Sequence, residues 1–187
     1  VYFTFDDGPI PEVTPWVLDT LKSYDMHGTF FCVGDNVRKH SKIYNRLIAE
    51  GHSVGNHSYS HKSGWGSDVE KYLDDVELCS SFVQSDLYRP PYGRLKPLQA
   101  EAIRDQYQIV MWDVLSGDFD QNITAEQCYQ NVIQNLKPGS IIVFHDNIKS
   151  FVTLKEVLPR VIEYCQSRGL SSKGIRYNRV KKELEIA

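Results

Sequence analysis

No stretch of this 187-residue chain is apolar for long enough to cross a membrane. A basic excess is also missing. Its 21 Lys and Arg stand against 24 Asp and Glu, a formal net charge of -3, so no surplus of cations exists to neutralise phosphates and a general nucleic-acid binder is excluded. Cysteine is sparse. Cys32, Cys79, Cys128 and Cys165 lie far apart with no C-x-x-C pair, and their apolar or helical surroundings predict buried free thiols that say little about compartment. Repeats, low-complexity tracts and linkers are absent. The length suffices for one domain with a sizeable core and is short for two, so a single domain over 1–187 is expected. No signal peptide precedes the first core strand, which leads us to expect a trimmed or processed product whose true N-terminus and any anchor lie upstream.

What is present is ordinary in amount and regular in order. Hydrophobic residues make up 41% and charged residues 24%, the range of a globular protein. Aromatic residues reach 12%; their faces suit sugar rings, although most belong in a core. Short apolar runs predict buried strands at Val1–Phe5, Thr29–Val33, Ser53–His57, Leu87–Arg89, Ile109–Trp112, Ser140–Phe144 and Gly174–Tyr177. Helical spacing predicts helices at Pro11–Asp25, from Asp35 or Val37 to Glu50, and at Asp68–Val83, Pro97–Gln106, Thr124–Leu136 and Val152–Arg168. Thr124 is a candidate N-cap. Asp113 to Asn122 reads as a polar loop. Strands alternating with helices mean parallel strands joined by crossover helices, hence an α/β barrel or doubly wound sheet.

The chemistry gathers at predicted strand ends. Asp6 and Asp7 end the first strand, ahead of Gly8-Pro9, which forces a turn. His57 and His61 follow the third strand, Arg89 closes the fourth, Asp113 and Asp118 follow the fifth, and His145-Asp146 the sixth. Parallel strands carry all those ends to one face. His57 and His61 stand four apart, a spacing that on a helical turn aims both imidazoles the same way. Two His and one carboxylate leave open positions on a divalent metal, the pattern of a catalytic site. Asp7, His57 and His61 are the candidate ligands, Asp6 a general base, His145 a general acid, and a backbone N–H near Tyr92 an oxyanion donor. A cation at Arg89 would keep Asp6 ionised. The sum is metal-assisted hydrolysis of an acyl group. The three other histidines, His27, His40 and His52, are expected to be solvated, as is the basic cluster from Arg176 to Lys182.

Thr4-Phe5-Asp6-Asp7-Gly8-Pro9, Asn56-His57-Ser58-Tyr59-Ser60-His61, Arg89-Pro90-Pro91-Tyr92-Gly93 and Val143-Phe144-His145-Asp146 resemble, in order and spacing, the motifs of the polysaccharide deacetylases, the NodB-homology domain of carbohydrate esterase family 4. The resemblance implies a distorted (β/α)7-type barrel of parallel strands with outer helices. It implies one divalent metal ion, usually zinc, with cobalt or nickel able to serve. The substrate would be an acetylated poly- or oligosaccharide such as peptidoglycan or a chitin-like chain, and the location extracellular or at the cell envelope or periplasm. By motif position Asp6 is the base, Asp7, His57 and His61 the ligands, Arg89 the residue that orients Asp6, and His145 the acid. Asp118 would tune Arg89 or His145, and Tyr92 within Pro91-Tyr92 would serve the oxyanion. Two motifs depart from the family. Leu115-Ser116-Gly117-Asp118-Phe119 stands where Asp-Ser-x-Asp-Trp is usual, so an acid and a groove-wall tryptophan are replaced by Leu115 and Phe119. Val143 stands where a Leu usually lines the acetate pocket. Two rival readings share these residues: an O-acetyl (xylan-type) esterase, and a silent carbohydrate-binding domain. Metal amidases of non-sugar substrates are a third.

Overall fold

Every residue of β1 (Tyr2–Asp6) is buried, flanked on one side by β2 (Gly28–Cys32) and on the other by β7 (Ile141–His145). The computed structural model describes residues 1–178 and 183–185. Seven strands pair in the order β5-β4-β3-β2-β1-β7-β6, all in parallel, with β3 at Ser53–Asn56, β4 at Leu87–Tyr88, β5 at Gln108–Ile109 and β6 at Val114–Leu115. The sheet curls into a half-barrel with β5 and β6 as its edges, which is the expected fold class in an open form. A parallel sheet buries both faces, which explains the unbroken apolar runs. Along β1 the faces alternate. Phe3 and Phe5 join Phe30 and Phe144 in the layer beneath the helices. Tyr2 packs with Phe31, Leu87, Val110 and Ile175 in the second, concave layer.

The helices are α1 (Thr14–Ser23), α2 (Gly34–Lys39), α3 (Ser41–Ala49), α4 (Val69–Ser80), α5 (Pro97–Arg104), α6 (Ala125–Ile133) and α7 (Phe151–Ser167). Their starts follow from local chemistry. The Asp68 carboxylate accepts the N–H groups of Glu70 and Lys71, and Thr124 caps α6 in a reciprocal box with Gln127. All four cysteines are buried free thiols, as expected.

Four local expectations are corrected. The helix predicted up to Glu50 is two helices, because His40, with φ -128° and ψ 43°, interrupts the ladder. The polar loop from Asp113 contains β6, whose two residues are too few to carry a period and of which Leu115 is exposed. Gly174–Tyr177 adds no strand to the main sheet. Ser172 accepts the Phe3 N–H and Ile175 donates its N–H to Thr29 Oγ1, closing the N-terminal ends of β1 and β2. Only then does β8 (Arg176–Asn178) pair antiparallel with β9 (Glu183–Glu185). His52 is buried rather than solvated: its Nδ1 accepts the Gly28 N–H at 3.1 Å, and burial lowers its pKa to about 4. Beyond Arg176, the basic residues of the Arg176–Lys182 cluster lie outside the described residues.

Candidate active site

The turn after β1 is held from three directions. Asp7 donates its N–H to Phe31 O at 3.2 Å, and Asn36 Nδ2 donates to Asp7 O at 2.8 Å. From β7, the buried Asp146 carboxyl accepts the Gly8 N–H at 3.0 Å and the Thr14 hydroxyl at 2.6 Å. Burial pushes the Asp146 pKa up to about 8. A Cβ on Gly8 would stand 2.0 Å from Asp146 Oδ2, so only glycine fits against that carboxyl. Held this way, Asp7 adopts φ 87°, a left-handed backbone uncommon for any residue but glycine. The strain turns its carboxyl out of line with Asp6 and towards β3.

His57 and His61 meet Asp7 there. Asp7 Oδ1 lies 3.5 Å from His57 Nε2 and 3.0 Å from His61 Nε2. The expected helical turn is not what aligns the two imidazoles. Ser58 and His61 are left-handed, with φ 60° and 56°, and that double bend brings the rings to 5.1 Å between centroids. His57 Nδ1 donates to the Arg89 carbonyl at 2.8 Å, which leaves the Nε2 lone pair facing Asp7. Asn147 Nδ2 donates to Asp7 Oδ2 at 2.6 Å. Asp7 Oδ1 is buried without a hydrogen-bond donor. One potential ligand atom from each of the three residues lies within 4.8 Å of the other two. An orphaned carboxylate oxygen beside an imidazole lone pair is a donor set that a divalent cation fits.

Asp6, on the adjacent pleat, is a partner of the fully buried Arg89. Arg89 Nη1 donates to Asp6 Oδ1 at 2.8 Å and to Thr4 Oγ1 at 2.7 Å; Nε and Nη2 donate to the carbonyls of Val110 and Met111. The guanidinium stacks 4.1 Å over the Phe31 ring. Asp6 Oδ2 is 4.0 Å from His57 Nε2, so the carboxylate faces the same space as the ligand set.

His145 is the register partner of Asp6 on β7. Asp118 accepts the His145 backbone N–H at 2.8 Å through Oδ2 and the Nδ1–H at 2.8 Å through Oδ1, and Ser116 Oγ donates to Oδ1 at 3.1 Å. Burial disfavours the imidazolium, but the Asp118 contact and charge outweigh it, and the His145 pKa rises to about 9. Of the two partners expected for Asp118, it is His145 that it touches. Asp113 sits elsewhere. It accepts from Ser140 Oγ and the Ile141 N–H at the start of β7, the opposite end of the sheet from the cleft.

A cleft of about 480 Å³ opens over these groups, walled by Tyr92, Trp112, Leu115, Phe119 and Val143. Phe119 meets the His145 ring edge-on at 5.1 Å, and Tyr92 leans on His61 at 4.7 Å. Tyr92 itself has φ 61° and Pro91 is buried beneath it. Asn147, Arg94 and Lys149 also line the cleft and were not singled out in the sequence. Each follows a marked residue by one to four positions in the same strand-end loop, which is the signal that could have found them.

The family model for polysaccharide deacetylases matches residues 1–109. A peptidoglycan-N-acetylglucosamine deacetylase of Bacillus cereus is 35% identical over 177 residues, 90% of this chain and 64% of that protein. The chain therefore spans a little under two thirds of that relative's length. A solved peptidoglycan N-acetylglucosamine deacetylase, in complex with 4-naphthalen-1-yl-N-oxidanyl-benzamide, aligns with a TM-score of 0.82 and 30% identity over 92% of this chain and 84% of that one. The Xyl-CE4 domain of a multidomain xylanase from the hindgut metagenome of Trinervitermes trinervoides aligns with a TM-score of 0.84 and 28% identity, over 92% and 85%. Since the family match already covers more than half of the sequence and the likeness in shape takes in nine-tenths of it, this chain belongs to the polysaccharide deacetylase family.

Proposed function

We propose that this chain is a metal-dependent hydrolase that removes acetyl groups from an N-acetylated carbohydrate, peptidoglycan foremost, that it works at the cell envelope or outside the cell, and that residues 1–187 belong to one domain. The observation that carries the reading is the meeting of Asp7 Oδ1, His57 Nε2 and His61 Nε2 within 4.8 Å, beside a carboxylate and an imidazole on neighbouring strands. Asp7, His57 and His61 would hold one divalent ion, zinc by family habit, with cobalt or nickel able to replace it. Such an ion, when bound, polarises an acyl carbonyl and acidifies water.

The remaining steps belong to this chain's side chains. Asp6 takes the water's proton, and the buried Arg89 keeps Asp6 ionised and aimed. His145, held protonated by Asp118, gives a proton to the departing amine nitrogen. The backbone N–H of Tyr92, at the left-handed turn over buried Pro91, is the donor for the developing oxyanion. Val143 and Leu115 wall the acetyl methyl, and Phe119 supports His145 and the sugar.

Removal of O-acetyl groups from xylan-type chains is the second reading, favoured by the likeness to the xylanase's Xyl-CE4 domain. Acetate release is to be measured from an N-acetylglucosamine oligomer and from acetyl-xylan, after chelation and after re-adding zinc, cobalt or nickel. Metal-restored release from the amino sugar is expected. Release from xylan alone would establish the ester reading, and release from neither would remove both.

A further inference from the structure

The charges around the cleft are not balanced. Asp6 is spent on Arg89 and Asp118 on His145, and Asp7 belongs to the ligand set. Two cations remain, Arg94 and Lys149. Both are exposed, both line the cleft, and neither has a carboxylate within salt-bridge distance among the described residues. They come from the loops after β4 and β7, strands with β3, β2 and β1 between them, so they stand on opposite walls with the ligand set between. In a chain of net charge -3, the mouth of the site is its reverse.

Arg94 is built in place. Its guanidinium lies 4.9 Å over the ring of Trp65, and Trp65 is fixed by an Nε1–H bond to Leu95 O at 3.2 Å. The two loops are clasped together: Gln99 donates to Gly64 O at 3.0 Å, Lys96 Nζ donates to Ser67 O at 2.6 Å, and Gly64 is so close that a Cβ there would stand 2.4 Å from Arg94 O. Stacking on an aromatic face holds a guanidinium while leaving its N–H fork free for a planar acid. Opposite, the Lys149 loop is tied down by Asn147 Oδ1 accepting the Ser150 N–H and by Gln121 donating to Lys149 O.

We propose that the cleft selects a glycan that carries carboxylates, with Arg94 and Lys149 as the residues that recognise them. This rests on the acetyl-glycan reading above and adds the charge of the chain that is bound. A neutral polymer gives the two cations nothing to pair with. An acidic one is drawn into the cleft by both walls and held across the ligand set.

The test uses one polymer in two charge states: peptide-free peptidoglycan strands with their lactyl carboxylates free, and the same strands methyl-esterified. Acetate release (kcat and KM) and calorimetric affinity are measured on the metal-loaded protein for wild type, Arg94→Gln, Lys149→Gln, the double variant and Arg94→Lys, at low and high salt. The expected result is a wild-type preference for the free acid, expressed in KM and fading as salt is raised. Each Gln variant should narrow the preference by roughly two- to fivefold, and Arg94→Lys should keep part of it. An equal preference in wild type and double variant, or no preference in wild type, overturns the inference. Should wild type release acetate from neither strand, the acetyl-removal reading is what fails; the calorimetric comparison of the two strands then decides the inference by itself.

Discussion

His145 and Asp118 share two hydrogen bonds, and the carboxylate is what lifts the imidazole's pKa to about 9 against its burial. The sign of the pH dependence follows. A raised pKa keeps His145 protonated below about pH 9, so the proposed general acid is lost as pH rises through that value. Asp118→Asn removes the charge but keeps a hydrogen-bonding side chain, so the alkaline limb of the rate profile should move down by roughly one to two pH units. A profile superimposable on wild type would mean that Asp118 does not govern the acid. The single residues of this site were legible because they stand in strings with few alternatives, Asp6-Asp7-Gly8-Pro9 and His57-x-x-x-His61. Their partners were not. Nothing local in the sequence says that Arg89 reaches Thr4, or that the Arg89 carbonyl, rather than an acid, fixes the His57 tautomer. Such contacts cross 32 to 85 positions of sequence and depend on how the sheet curls.

Strands and turns show a similar division. The interior strands β1, β2 and β7 announce themselves as apolar runs because both faces are covered. β6 was hidden: two residues long, with Leu115 exposed, it is a strand only because Val114 and Leu115 find Ile142 and Val143 beside them. The break at His40 was hidden too, since Val37, Tyr44 and Leu47 keep nearly the same period through it. At the β1 turn the Gly-Pro pair was read as a bend, whereas Gly8 is required by the Asp146 carboxyl that a Cβ would meet at 2.0 Å. Gly8→Ala should therefore cost roughly 1–3 kcal/mol of stability from overpacking and, by shifting Asp7, weaken zinc binding. Urea unfolding and zinc titration check the two effects. A variant with unchanged midpoint and unchanged affinity would show that the turn is slack.

On the scale of the whole molecule, the proposed ligand set joins segments 50 residues apart: Asp7 after β1, His57 and His61 after β3. An ion that binds all three stabilises the folded state by mass action, by about 2.7 kcal/mol at a hundredfold excess over its dissociation constant. For a chain of this size that is a rise in Tm of roughly 5–11 °C. Scanning calorimetry with chelator, then with zinc, should show the difference, and Asp7→Asn should abolish it. An equal Tm with and without metal would argue against a site assembled from these residues. The alternation of strands and helices was enough to foresee parallel strands. The open edges β5 and β6 were not foreseeable, because closure depends on strand tilt and stagger, which no local pattern encodes.

The four thiols give the molecule a built-in record of where it opens. Burial raises the pKa of Cys32 well above the ordinary thiol value, of Cys79 and Cys128 to about 12 and of Cys165 to about 11, so in the closed state none offers a thiolate to an alkylating reagent. Two of them, Cys32 on β2 and Cys79 on α4, lie near the cleft, and Cys79 Sγ is 3.7 Å from Cys32 O. Cys165, on α7, lies beside the chain's first residue at the other end of the sheet, whereas Cys128, on α6, hydrogen-bonds Ser116, whose hydroxyl donates to Asp118. The rate at which a maleimide reaches each thiol measures the opening of its own region. A metal bound by Asp7, His57 and His61 would slow Cys32 and Cys79 far more than Cys165, so the chain's own cysteines would distinguish a breathing active site from a protein that unfolds as one.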